Sequence, residues 1–257
     1  MSLLRLLWRS LLLLIHTLSG AWISIRAQIK KHQAPDPDHI SRWSRQLLAI
    51  LGVELECRGK VPHQAAMIVA NHVSWLDIPL ISSCTHAAFL SKEAIRRWPV
   101  IGWFAVSAGT VFIRRGKGEA NQVAEAIAQR LNGDRQLAVF PEGRVTPADR
   151  VERFFPRLFA AAIEAQVPVA PVAIIYLTED GALDDGVSYL PGRSFLGILL
   201  RLLVRKRTRA VISFCPLIEA AGYDRKGLAK ASREAILRAL ADLQDGFIFD
   251  ERRHNGK

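Results

Sequence analysis

Met67-Ile68-Val69-Ala70-Asn71-His72-Val73-Ser74-Trp75-Leu76-Asp77 changes character partway along. It begins as a short apolar run of the kind that forms a strand buried on both faces. It ends in polar residues that suit the start of a helix. His72 and Asp77 lie five positions apart. On one ideal helix their side chains would point roughly 140° apart. His72 therefore belongs to the loop leaving the strand, with the helix beginning between it and Asp77. Ser74 and Asp77 have the spacing of a capping box, whereas Pro79 favours a later start. In either case the two side chains gather at a strand's C-terminal edge beside a helix N-terminus, the usual ligand site of α/β sheets. Histidine suits proton transfer near neutral pH, and a carboxylate can hold it in one tautomer. The plain alternative is a helix-capping aspartate beside a satisfied loop histidine.

The same strand-like pattern recurs outward from this stretch. Val53–Cys57, Ala88–Leu90, Thr110–Ile113, Leu137–Phe140, Val169–Tyr176 and Ala210–Phe214 read as further strands. Helical stretches fall at Ile78–Ser83, Glu119–Leu131, Leu158–Ala165 and Lys226 to about Leu243. The alternation predicts an α/β fold: a mixed, largely parallel sheet flanked by helices. This unit spans residues 53–257, and residues 1–52 precede it as a helical hairpin.

The hairpin begins with Leu3, Leu4, Leu6, Leu7 and Trp8, followed by an uncharged stretch from Ser10 to Ile25. Arg5 and Arg9 stand before it, and Arg26, Lys30 and Lys31 after it. A spanning helix wants about 20 apolar residues, and His16, Thr17 and Ser19 interrupt this one. Basic residues on both sides give no inside–outside asymmetry. The favoured reading is a monotopic helix in one leaflet, both ends on the cytoplasmic face of the inner membrane; a single pass and a buried core helix are the alternatives. Pro35-Asp36-Pro37-Asp38 breaks the chain before a second helix, His39 to Leu51, whose Trp43, Leu47, Leu48 and Ile50 keep near-helical spacing.

Two further stretches carry chemistry. Phe140-Pro141-Glu142-Gly143-Arg144 ends a strand and is expected to leave Glu142 and Arg144 exposed at its tip, with Gly143 letting backbone approach a ligand. Arginine can clamp a phosphate with two parallel hydrogen bonds. Gly109 through Lys117 delivers Arg114, Arg115 and Lys117 to a strand end, a plausible anion grip. Either stretch alone also reads as a solvated turn or strand end.

Among 257 residues, Lys and Arg outnumber Asp and Glu by 35 to 24, a net charge of +11. Such an excess suits an anionic partner. Nucleic-acid binding accounts for the charge but for neither the ordered motifs nor the apolar N-terminus. Cys57, Cys84 and Cys215 are too few and scattered for a disulfide framework or a zinc site, and read as buried thiols in a reducing compartment. The chain has no GxxxxGK[ST], GxSxG or HExxH motif. Trp98 through Phe104, and Phe195 through Leu200 leading into Arg201 and the basic run Arg205 to Arg209, suit a membrane interface.

Together these segments resemble the glycerolipid acyltransferase family typified by bacterial 1-acylglycerol-3-phosphate acyltransferases. Asn71 through Asp77 is similar to its NHxxxxD block, Gly109 through Arg114 to its second, and Phe140 through Arg144 to its FPEG block. Val167 through Ile174 resembles its proline-bearing strand, and the four blocks keep the family's order. Lys92, Pro99, Ile101 and Gly102 also fall where the family has a lysine and a Pro-x-x-Gly run.

The resemblance implies that His72 is the general base and Asp77 its orienter. The reaction would pass an acyl group from acyl-CoA or acyl-carrier protein to a lysophospholipid hydroxyl, foremost lysophosphatidic acid. It implies acceptor binding by Arg114, Glu142 and Gly143; Arg144 joins them on charge and position. No metal or bound cofactor is implied. Backbone donors near the first helix N-terminus are expected to hold the oxyanion. Two departures stand out. Arg144-Val145-Thr146 replaces the usual threonine after the FPEG glycine, and Arg153 through Phe159 lacks a Phe-x-x-Gly. The second, with Ala160-Ala161-Ala162, looks like the branch containing lyso-ornithine-lipid acyltransferases.

Overall fold

The computed structural model describes residues 2–31, 35–113, 120–131, 135–190 and 192–254. Seven strands form one sheet: β1 (Val53–Gly59), β2 (Ala66–Ala70), β3 (Ala88–Lys92), β4 (Val111–Ile113), β5 (Gln136–Val139), β6 (Val169–Leu177) and β7 (Thr208–Phe214). Their spatial order is β1-β7-β6-β2-β5-β3-β4. Every neighbouring pair is parallel except β6 and β7. Helices α1 (Ser2–Lys31), α2 (Pro37–Ile50), α3 (Asp77–Cys84), α4 (Glu93–Arg96), α5 (Ile101–Ser107), α6 (Ala120–Leu131), α7 (Ala160–Glu164), α8 (Phe195–Val204) and α9 (Arg225–His254) surround it.

The period of two along each strand decides what lies on which face. Met67 and Val69 of β2 pack in a cluster with Ile127 of α6, Ala161 of α7 and Leu240 of α9. Ala66, Ile68 and Ala70 of the same strand face a second cluster with Leu48 of α2, Leu80 of α3 and Leu202 of α8. Helices therefore cover both faces, and the central strands read as unbroken apolar runs because neither face meets water. The α/β sheet expected from the sequence is the one observed.

Several local expectations change. Cys57 is exposed, and Cys84 and Cys215 are only half-buried; β1 is an edge strand, so the end of Cys57 has no outer neighbour. Two helices, α5 and α8, stand where the sequence showed interface-like segments. The basic run after α8 is partly spent internally: Arg205 pairs with buried Asp184, and Arg207 lies 3.7 Å from Glu54.

α1 lies along the domain for most of its length. Near its start, the Arg9 guanidinium donates to the carbonyls of Leu202, Arg205 and Lys206 at 3.0, 2.6 and 3.0 Å, and Arg5 donates to Val204 at 3.0 Å. Leu202 and Val204 carry orphan carbonyls of the last turn of α8, with Arg205 and Lys206 just beyond it, where a cation is also favoured by the helix dipole. Midway, His16 and Trp43 stack at 4.5 Å and exchange ring-to-carbonyl hydrogen bonds. Gly20 makes room for this contact; a Cβ there would come within 2.6 Å of Trp43 Nε1. Near its end, Gln28 reaches Ser107 of α5 at 3.4 Å. The opposite face is apolar and exposed, from Leu4 through Leu11, Leu18 and Trp22 to Ile29.

Candidate active site

Sheet register brings the sequence motifs together. Val69 of β2 pairs in parallel with Val139 of β5, so Asn71-His72 and Phe140 through Arg144 leave the same edge side by side. On its other flank β6 runs on past the end of β2, which stops at Ala70 opposite Val172. Asn71 bridges that step with its side chain. Its amide donates to Ile174 O at 2.9 Å and accepts from Ile174 N at 2.8 Å. A side chain thus mimics one more residue of ladder and fixes where the chain turns into His72.

His72 Nδ1 lies 2.7 Å from Asp77 Oδ2. That same oxygen accepts the backbone N–H of Val73 at 2.8 Å and of Ser74 at 3.0 Å. Asp77 Oδ1 accepts the Tyr176 hydroxyl at 2.6 Å. Asp77 and Tyr176 are both 0% exposed, and His72 is 18% exposed. A carboxylate ringed by four donors acts only as acceptor, so Nδ1 carries the proton and Nε2 presents its lone pair. The ring is further held by Phe140, stacked on it at 3.9 Å and 14°. Burial, then the nearby Asp77 charge, pushes the Tyr176 phenol well above its ordinary range, keeping it a donor.

The capping box is half formed. Asp77 reaches back to the Ser74 N–H, but Ser74 Oγ donates to Val187 O at 2.7 Å. α3 starts at Asp77, with Pro79 in its first turn. Because Val73 and Ser74 spend their N–H groups on Asp77, they are not the oxyanion donors expected at this helix start.

Glu142 departs from the exposed turn expected of it: the residue is 4% exposed. Oε1 accepts the His72 N–H at 2.9 Å; Oε2 accepts the Thr146 hydroxyl at 3.0 Å and the Glu152 N–H at 2.7 Å. Thr146 N–H donates in turn to His72 O at 2.8 Å. Burial raises the Glu142 carboxyl above its ordinary range, opposed by these hydrogen bonds and by His72. Gly143 sits at φ +70°, the left-handed region glycine tolerates. Arg144 is exposed and lies 3.3 Å from Glu152. Arg114, Arg115 and Lys117 lie outside the described residues; β4, which ends at Ile113, runs parallel with β3 and finishes on the same sheet edge.

His72, Gly143 and Arg144 line a cavity of about 1930 Å³. Its walls are chiefly apolar, with Ile23 of α1, Trp43 of α2, Phe89 of β3 and Phe104 of α5 among them. The volume exceeds that of ordinary small-ligand pockets, about 300–1,000 Å³. Among the described residues no cluster of His, Cys, Asp or Glu could hold a metal ion.

Residues 53–175 match the family model described as Acyltransferase. The lyso-ornithine lipid O-acyltransferase of Pseudomonas aeruginosa is 39% identical over 246 residues, spanning 93% of this chain and 95% of that protein. The chain belongs to the glycerolipid and lysolipid O-acyltransferase family. Among other members, the 1-acyl-sn-glycerol-3-phosphate acyltransferase of Neisseria meningitidis is 32% identical over 208 residues, 78% of this chain and 80% of its own. The crystal structure of the 1-acyl-sn-glycerophosphate acyltransferase from Thermotoga maritima superimposes with a TM-score of 0.71 at 21% identity, covering 95% of this chain and 96% of that one. At that identity the likeness is one of fold. The family's acyl-transfer chemistry matches the histidine–carboxylate pair found at the cavity.

Proposed function

We propose that this acyltransferase esterifies the hydroxyl of lyso-ornithine lipid. His72 facing a large apolar cavity carries the chemistry part of the reading. The 39% relative, matched over nearly both whole chains, supports the acceptor. His72 Nε2 takes the hydroxyl proton as the oxygen attacks the thioester carbonyl of acyl-CoA or acyl-carrier protein. The tetrahedral intermediate collapses, the C–S bond breaks, and the imidazolium returns its proton to the departing thiolate. Asp77 holds the ring and offsets its transient charge. Glu142 serves acceptor binding through the loop it braces, Gly143 through close backbone approach, and Arg144 through its guanidinium. Arg114 keeps its place as a second cation for the headgroup.

A guanidinium clasps carboxylate and phosphate alike, so these arginines do not choose between headgroups. Lysophosphatidic acid is the second reading, supported by the Neisseria relative. Residues 1–52 hold the enzyme to the cytoplasmic face of the inner membrane, and 53–257 carry the chemistry. The anchor is monotopic because one face of α1 is occupied by the domain from Arg5 to Gln28.

A panel of lysolipids, offered with one long-chain acyl-CoA and its acyl-carrier-protein counterpart and read by mass spectrometry, tests the acceptor. Ornithine lipid should form with the highest kcat/KM; higher kcat/KM on lysophosphatidic acid would refute it. His72→Ala should lower turnover about 10²–10⁴-fold with the fold intact. Unchanged turnover would remove His72 from the role of base.

A further inference from the structure

Tyr176 sits on β6, two residues beyond the Ile174 that Asn71 clasps. It belongs to the same core cluster as Leu80 of α3. Its hydroxyl is the hydrogen-bond donor to Asp77 Oδ1, at 2.6 Å, while the other three donors converge on Oδ2. The two residues are 99 positions apart and both fully buried. The other titratable group against His72 among the described residues is Glu142, whose Oε1 accepts the His72 N–H at 2.9 Å and which the Tyr176 variants leave in place. The reach of β6 past the end of β2 sets their approach.

We propose that Tyr176 is a positioning residue for acyl transfer, acting through Asp77 on the proton affinity of His72. The inference rests on His72 and Asp77 being the base and its orienter. A buried carboxylate with one oxygen unpaired is costly, and it relieves the cost by rotating or by holding a proton more tightly. Rotation would break the 2.7 Å contact that fixes the imidazole. The phenol also stabilises the carboxylate most when the imidazole is neutral, because an imidazolium already offsets its charge. Tyr176 therefore favours the proton-accepting state of the pair over its protonated state.

The test uses the full chain with whichever lysolipid turns over fastest. Tyr176→Phe should lower kcat about tenfold, leave KM for acceptor and donor within about twofold, and move the acidic limb of the kcat/KM profile to higher pH. Replacing Tyr176 by 3-fluorotyrosine keeps the shape and strengthens the donor; its acidic limb should move to lower pH. This second variant settles the matter even where the phenylalanine form folds poorly. An acidic limb unmoved in the fluorotyrosine enzyme, or moved upward, overturns the proposal. His72→Ala run alongside separates the two levels. A fully active His72→Ala refutes the base assignment itself, whereas an inactive one beside an unmoved fluorotyrosine profile refutes only the part given to Tyr176.

Discussion

Glu142 shows how one carboxylate can organise a site without entering it. Its two oxygens join the His72, Thr146 and Glu152 segments, so three loops share one anchor. Burial raises its carboxyl above the usual range near 4.3, so the folded state binds this proton more tightly than the unfolded chain. The associated stability is full below the unfolded value and is lost as pH rises through the folded one. Denaturant unfolding of the wild type from pH 4 to 7 should show that decline, and Glu142→Gln should lack it. The variant should also be less stable by about 1–3 kcal/mol at the acidic end, because an amide sets its own N–H against a backbone N–H. A slope unchanged by the substitution would exclude Glu142 as its source. At this scale the sequence was legible only where partners are local. His72 and Asp77 could be read from their spacing. Tyr176 could not, since nothing near it in the chain refers to Asp77. Glu142 misled because Pro-Glu-Gly reads as an exposed turn, whereas this turn folds back beneath the end of β2. Asn71 left a clue: an amide following a buried strand needs partners, and the adjacent strand backbone is the nearest supply.

α1 and α8 form the most consequential pair of elements. Arg9 spans three carbonyls at the end of α8, and Gly52, at φ +72°, leaves the space its guanidinium occupies; a Cβ there would come within 2.3 Å. Arg9→Ala should cost about 1–2 kcal/mol, seen as a lower Tm and faster hydrogen exchange in the first turns of α1. Arg9→Lys should rescue little, because a compact ammonium cannot match the planar fork. Full rescue would mean that charge alone matters. The central strands β2, β5 and β6 were legible because strands covered on both faces are continuous apolar runs, and edge strand β1 because Val53, Leu55 and Cys57 alternate with Glu54 and Glu56. The reversal of β1 and β7 against the other five strands was not, since a strand's residue pattern is the same in either direction. α8 was missed as a helix because Phe195 through Val204 is apolar almost throughout, leaving little periodicity to separate helix from strand.

Across the whole molecule, the exposed apolar face of α1 has a companion in Leu196, Leu200 and Val204, one stripe at helical spacing on α8. Exposed apolar stripes of this kind suit a membrane contact. Leu196→Lys with Leu200→Lys should weaken partition onto neutral phosphatidylcholine vesicles by about tenfold or more, since each buried leucine contributes about 1.5–3 kcal/mol. Turnover of a micellar short-chain lysolipid should stay near wild type. Unchanged vesicle binding would confine the contact to α1. The sequence led to the expectation that this protein meets lipid; it did not show which side of each helix does so, because the inward face of α1 mixes Leu6 and Leu13 with His16, Gly20 and Ser24. Small and polar residues turned inward beside an exposed apolar face fit a helix whose outer side meets lipid. The preassembled His72–Asp77 pair has one more consequence. On the proposed role of His72 as base, Nε2 would be ready before any lipid arrives, and a stray water beside it would be as acceptable a nucleophile as an alcohol. Under that proposal, whether an acyl thioester is conserved or squandered by hydrolysis between turnovers would be governed by the dryness of the cavity walls, making fidelity a property of the hydrophobic lining as much as of the base.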